Sequence, residues 1–254
     1  MLVIGHRGAS GHAPENTMAA FKKAVALGAT FIETDLHLSR DAHLVAIHDA
    51  TVNRTTNGQG AVHDMTLAEL RRLDAGSWFG SEFGGERIPM LEELLEFSKK
   101  NDVVFYMELK PDGTWGGEHA LVGALRESGE IPRTVVICFD PGIVLNLRKI
   151  EPTLMTGLLY DGQIEKPIDK AVEIGARQLV VRGDLDAGDD RGSPEERLAD
   201  RLLDGESSRA HAHVDGGGSR RNHERLSGPA SSGSKKGNRN SLLTAKNPHT
   251  KILL

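Results

Sequence analysis

Four short polar clusters in the first half of the chain carry residue types that can do chemistry together: His6-Arg7, Glu33-Thr34-Asp35, His48-Asp49 and Glu108-Leu109-Lys110. Three of them close an apolar run, where a strand hands over to a loop. Side chains two apart on a strand share a face, so Glu33 falls with Asp35 and Glu108 with Lys110. Burying such charges side by side is costly unless they pair or hold a cation. Glu33, Asp35 and Glu108 offer oxygen alone, with no cysteine nearby, a donor set that suits Mg²⁺ or Ca²⁺ rather than zinc. Imidazole titrates near neutrality, so His6 and His48 can act as an acid/base pair. Arg7 presents a planar fork and Lys110 a point charge, both suited to an anion. A metal, two proton carriers and two cations suit cleavage of a phosphate ester.

Each cluster also has a plainer reading. Taken singly, a strand-end acid is an exposed charge or the partner of a lysine. A lone histidine is a hydrogen-bonded structural group, and Arg7 and Lys110 balance charge. Three acids on two strands and two histidines, gathered at strand ends, favour the site, because parallel sheets carry their sites at the carboxyl ends of the strands. His12, His37 and His63 lack that setting and are expected to be bystanders. Trp78, Phe79 and Phe83 are expected to anchor the segment that carries them, with a cover over substrate as the other reading.

The elements that must position these residues follow from the apolar patterning. Strands are expected over 2–5, 30–36, 43–47, 103–109, 134–139, 154–160 and 178–181. Helices are expected after Asn16 or Thr17 as cap, along Met90 to Phe97, and over 119–127, 141–149 and 167–174. Such alternation implies a mainly parallel sheet. Residues 50–87 form an excursion, with turn signals at Asn57-Gly58 and Gly84-Gly85. A helix over 65–73 is expected there, started by a Thr66–Glu69 capping box. From Gly183 onward no further strand is expected. No aromatic residue follows Tyr160, and runs such as Gly216-Gly217-Gly218 appear. Residues 183–254 are therefore expected to be a disordered tail, apart from a modest helix over 194–203.

Composition narrows the classes. The chain has 254 residues and a formal net charge of -5, with a pI near 6.1, which disfavours general nucleic-acid binding. Its one cysteine, Cys138, excludes an internal disulfide and fits a reducing compartment. No apolar run approaches the roughly 18 residues a membrane span needs. The expectation is a cytoplasmic protein without stable membrane insertion, acting on a small molecule.

The motifs fall in a familiar order. His6-Arg7-Gly8-Ala9, Pro14-Glu15-Asn16-Thr17, Glu33-Thr34-Asp35-Leu36, His48-Asp49, Ile88-Pro89-Met90-Leu91-Glu92-Glu93 and Glu108-Leu109-Lys110 together resemble the glycerophosphodiester phosphodiesterase family, from residue 1 to about 181. The resemblance implies a TIM-type (β/α)8 barrel with an insertion after the second strand, here about 50–87. It implies hydrolysis of glycerophosphodiesters to sn-glycerol 3-phosphate and an alcohol. Carried across, Glu33, Asp35 and Glu108 bind the divalent cation, His6 and His48 are the catalytic pair, and Arg7 and Lys110 hold the phosphate. Phospholipase D-like hydrolysis of lysophospholipids is the alternative within the superfamily. The family's closing strands, with Trp-Thr-x-Asn and Thr-Asp-x-Pro patterns, have no counterpart after residue 182. The last two barrel strands are thus not recognisable. The abrupt change in composition there points to a shifted reading frame, and a non-catalytic product with an incomplete barrel is the third reading. The head group, the choice between Mg²⁺ and Ca²⁺ and the oligomeric state stay open at this point.

Overall fold

The computed structural model describes residues 4–111, 116–182 and 251–253. Six parallel strands run in chain order across one curled sheet: β1 (Ile4–His6), β2 (Phe31–Leu38), β4 (Val104–Leu109), β5 (Thr134–Cys138), β6 (Met155–Tyr160) and β7 (Gln178–Arg182). β3 (Leu44–Ala46) pairs antiparallel with β2 as a side hairpin. These are the six barrel strands and the hairpin that the apolar patterning predicts. A further strand, β8 (Lys251–Leu253), pairs antiparallel with β7. That strand corrects the expectation of none after Gly183; its apolar stretch is too short to register as a strand signal. Otherwise the expectations for the tail, including disorder and the helix over 194–203, lie outside the described residues.

Helices cover one face of the sheet: α1 (Met18–Ala26), α3 (Leu91–Asn101), α4 (Gly117–Ser128), α5 (Pro141–Ile150) and α6 (Pro167–Glu173). The even-numbered positions of β2, Ile32 and Leu36, pack on this side with Phe105, Met107 and Leu109 of β4. Phe21, Phe97 and Phe105 meet there, the first and last at 5.5 Å in a T-shaped pair. The odd-numbered positions of β2 face the other way, into the concave side of the sheet. Tyr106, Val135, Ile137, Leu159 and Val180 form an apolar floor on that side. Glu33, Asp35 and Glu108 project from the same face, the first two from within β2 and Glu108 from the carboxyl end of β4. Register enforces this: His6 lies beside Glu33, and Asp35 beside Glu108.

Local chemistry explains the helix limits. Thr17 rather than Asn16 caps α1, its hydroxyl accepting from the Ala20 N–H. The Thr66–Glu69 capping box forms as expected, but α2 spans only Leu67–Leu70. Beyond it Arg71 is drawn into a bidentate pair with Glu93 of α3, and the chain continues in tighter turns. The insertion has its own aliphatic core of Val52, Val62, Leu70 and Ala75, seated on Val45, Ile47 and Ile88. Those residues anchor it. Trp78, Phe79 and Phe83 instead stack edge to face, with Trp78 exposed, so the anchoring role expected of them belongs to the aliphatic set. Among the described residues no helix is long and apolar enough to cross a membrane.

The turn after β1 is tight against α1. Gly8 has φ +80, and a Cβ there would sit 2.7 Å from the Ala20 carbonyl carbon. Neither the backbone conformation nor the space admits a side chain. Gly8→Ala should therefore lower unfolding free energy by about 2–4 kcal/mol. Gly123, inside α4, would meet nothing within 4 Å. Gly123→Ala should raise stability by about 0.5–1 kcal/mol through helix propensity. Urea denaturation of the two variants checks both signs; equal effects would mean that the contact with Ala20 does not control the turn.

Candidate active site

The site grows from the carboxyl ends of β1 and β4 and from the stretch of β2 between them. Glu33, Asp35 and Glu108 are almost wholly buried, and a ligand oxygen of each lies within 4.8 Å of the others. Oxygens on opposite sides of a Mg²⁺ or Ca²⁺ ion stand about 4–5 Å apart at most. The three acids fall inside that limit, and their all-oxygen chemistry fits a hard divalent ion. Lys110 follows β4 directly. Its Nζ stands 2.8 Å from Asp35 Oδ1 as an ion pair and donates to Glu108 Oε1. Burial would lower the Lys110 pKa, but Asp35 and Glu108 outweigh it and leave the ammonium more basic than usual. Arg7 Nε stands 3.3 Å from Asp35 Oδ2. Three buried carboxylates against these two cations leave negative charge in excess, a further reason why a cation fits.

Arg7 sits in the left-handed region at φ 54, where non-glycine residues are uncommon. This conformation turns its N–H onto Glu33 Oε2 at 3.0 Å. His6, one residue earlier, brings Nε2 to 3.7 Å from the same oxygen. His48 follows the β3 hairpin, and its Nδ1 lies 2.7 Å from Asp49 Oδ1. Arg54 above all, with help from His48, pulls the Asp49 carboxyl down to about 2. An ionised Asp49 only accepts, so the neutral His48 ring carries its proton on Nδ1 and leaves the Nε2 lone pair available.

All seven residues singled out from the sequence thus lie on the first four strands or the turns that directly follow them. Four further residues support them. Asn16, at φ 55, donates to Asp35 Oδ2 at 2.9 Å and accepts from the Thr34 hydroxyl at 2.8 Å. His37, expected to be a bystander, is buried with Nε2 3.1 Å from the His48 carbonyl oxygen. That carbonyl can only accept, so His37 donates and holds the His48 backbone. Glu15 joins Arg7 to Arg54 at 3.0 and 2.7 Å. Burial would raise the Glu15 pKa, but Arg54 and Arg7 together hold it below the ordinary range. Asn16 and Glu15 sit in a quoted motif, yet nothing in their spacing says what they touch.

A helix-backed parallel sheet with buried acids at its carboxyl ends is the architecture of TIM-type barrel enzymes, and this acid, imidazole and cation set is that of a hydrolase. The chain belongs to the glycerophosphoryl diester phosphodiesterase family, whose model matches residues 6–187. It is 44% identical over 180 residues to a glycerophosphodiester phosphodiesterase of Caldanaerobacter subterraneus subsp. tengcongensis, covering 70% of this chain and 74% of that protein. A Bacillus subtilis glycerophosphodiester phosphodiesterase is 34% identical over 193 residues, covering 68% of this chain and 64% of its own length. Among solved structures, the Agrobacterium tumefaciens glycerophosphodiester phosphodiesterase is similar with a TM-score of 0.65 and 28% identity, over 80% of this chain and 92% of that one. An Oleispira antarctica phosphodiesterase, solved with the product sn-glycerol-3-phosphate, gives 0.69 and 28% identity over 81% of each chain.

The lowered Asp49 pKa has a measurable sign. Because the folded value, about 2, lies below the ordinary 3.8, the ionised carboxylate stabilises the fold above 3.8. That contribution is lost as pH falls toward 2. The stability gap between wild type and Asp49→Asn should therefore be constant near neutrality and close across that acid window. A gap that stays unchanged down to the folded value would show that Arg54 and His48 do not stabilise the ion.

Proposed function

We propose that this chain hydrolyses glycerophosphodiesters to sn-glycerol 3-phosphate and an alcohol, in a reaction that needs a divalent cation. One observation carries the reading: three buried carboxylates converge within 4.8 Å beside two histidines and two cations. The product held by the Oleispira antarctica neighbour supports the choice of substrate class. Glu33, Asp35 and Glu108 would hold the ion, and bound Mg²⁺ or Ca²⁺ would supply Lewis-acid stabilisation of the phosphoryl oxygens.

The chain's own groups divide the remaining work. Arg7 and Lys110 orient the phosphate and offset charge that builds on its oxygens. His48, with Nδ1–H on Asp49, takes a proton from the attacking water at Nε2. A P–O bond forms to that water while the P–O bond to the alcohol breaks. His6 gives a proton to the departing alcohol oxygen. Glu33, 3.7 Å from His6 Nε2, favours the protonated imidazole that this step requires. The free, buried Cys138 agrees with a reducing compartment, and we assign the activity to the cytoplasm.

Release of glycerol 3-phosphate from glycerophosphocholine and glycerophosphoethanolamine, set against release of lysophosphatidic acid from lysophosphatidylcholine, tests the reaction and separates the two substrate classes. EDTA should abolish turnover, and Mg²⁺ or Ca²⁺ should restore it; full activity in metal-free protein would remove Glu33, Asp35 and Glu108 from the ligand role. His6→Ala and His48→Ala should each lower kcat by roughly 10²–10⁴-fold with little change in melting temperature. Near wild-type turnover in either variant would exclude that histidine from proton transfer.

A further inference from the structure

Arg54 belongs to the insertion, yet its guanidinium reaches two loops of the sheet at once. Nε and Nη2 donate to Asp49 at 2.7 and 3.0 Å. Nη1 and Nη2 donate to Glu15 at 3.0 and 2.7 Å. The two carboxylates lead in opposite directions. Asp49 Oδ1 lies 2.7 Å from His48 Nδ1, and Glu15 Oε1 accepts from Arg7 Nη1 at 3.0 Å. One side chain therefore bridges the proton carrier on one side of the site to the anion-binding arginine on the other.

We propose that Arg54 is a positioning residue for the phosphodiesterase reaction, fixing Asp49 on the His48 ring and Glu15 on the Arg7 guanidinium. The proposal rests on the function assigned above. Two observations separate it from a role in stability alone. The aliphatic core of the insertion does not include Arg54, and its side chain is 44% exposed. Exposed ion pairs contribute little to folding. A planar fork that satisfies two carboxylates in one geometry, however, restricts how both can move. Lysine, a single point charge, cannot span both acids in this way. Both Asp49 and Glu15 are held ionised by Arg54, so the bridge persists throughout the neutral range. The insertion thereby becomes part of the catalytic apparatus rather than an appendage.

The test uses the full chain with Mg²⁺ and the variants Arg54→Ala, Arg54→Lys and Asp49→Asn, each checked for a cooperative melting transition. Arg54→Ala should lower kcat about 10–100-fold, in the range of lost outer-shell partners, and raise KM several-fold. Arg54→Lys should recover only part of the loss. Because Arg54 acts on His48 through Asp49, the Arg54→Ala/Asp49→Asn double variant should lose less kcat than the product of the two single losses, the remaining loss coming through Glu15 and Arg7. Independent, multiplicative losses, or an Arg54→Ala enzyme with unchanged kcat and KM, would overturn the proposal. A second readout does not need turnover. In ¹⁵N NMR the neutral His48 ring should carry its proton on Nδ1 in wild type and shift toward Nε2 in Arg54→Ala. If the tautomer is unchanged, Arg54 has no hold on the ring and the proposal fails. A wild-type chain that hydrolyses nothing would sink the assigned reaction, while the NMR result would still decide the role of Arg54.

Discussion

Three carboxylates buried on one face of two neighbouring strands set the terms for everything around them. Parallel register places Asp35 directly beside Glu108, so the repulsion cannot be relieved by sliding the strands. It is relieved by charge brought from outside the face. Lys110 arrives from the end of β4 and Arg7 from the turn after β1. The apolar floor of Tyr106, Ile137 and Leu159 keeps the dielectric low beneath the acids, which strengthens both the repulsion and its relief. This concentration of negative charge also prepares the site for a hard cation.

The β1 turn shows what that demand costs in backbone freedom. Two successive residues, Arg7 and Gly8, take positive φ, and Asn16 does so nine residues after Arg7. Glycine and asparagine tolerate the left-handed region, whereas arginine is uncommon there. The Arg7 conformation persists because the surroundings over-determine it: its N–H is bound to Glu33, its carbonyl accepts from the Asn16 N–H, and Gly8 N–H closes onto Gly5. Strain is thus concentrated at the residue whose side chain must reach both Glu15 and Asp35.

Period-two spacing makes the three acids legible in the sequence, because it puts Glu33 with Asp35, and Glu108 with Lys110, on one face of an apolar strand. The six parallel strands and the hairpin were legible for the same reason, and the Thr66–Glu69 cap through its spacing. Other parts carried no periodic signal. Arg54 and Glu15 are 39 residues apart on two loops, and nothing in either loop's composition pairs them. His37 looked idle because its partner is a backbone carbonyl, which any residue could supply. Asn16 sat beside the true cap, Thr17, so a local role masked its long-range bond to Asp35. The end of α2 carries no signal in composition: after Leu70 the backbone tightens to i→i+3 bonds at Arg72 and Leu73.

All seven residues assigned to the chemistry fall between positions 6 and 110, on β1 to β4 and the turns beside them. The strands that follow, β5 to β7, contribute apolar side chains such as Ile137, Leu159 and Val180 to the same concave face. The polar residues and most of the apolar floor beside them are therefore encoded in separate, contiguous stretches of the gene. A single recombination event near the middle of the reading frame could exchange one without disturbing the other. In such a lineage the half that carries the acids and histidines would be inherited whole, while the apolar half of the same face could be replaced in one step.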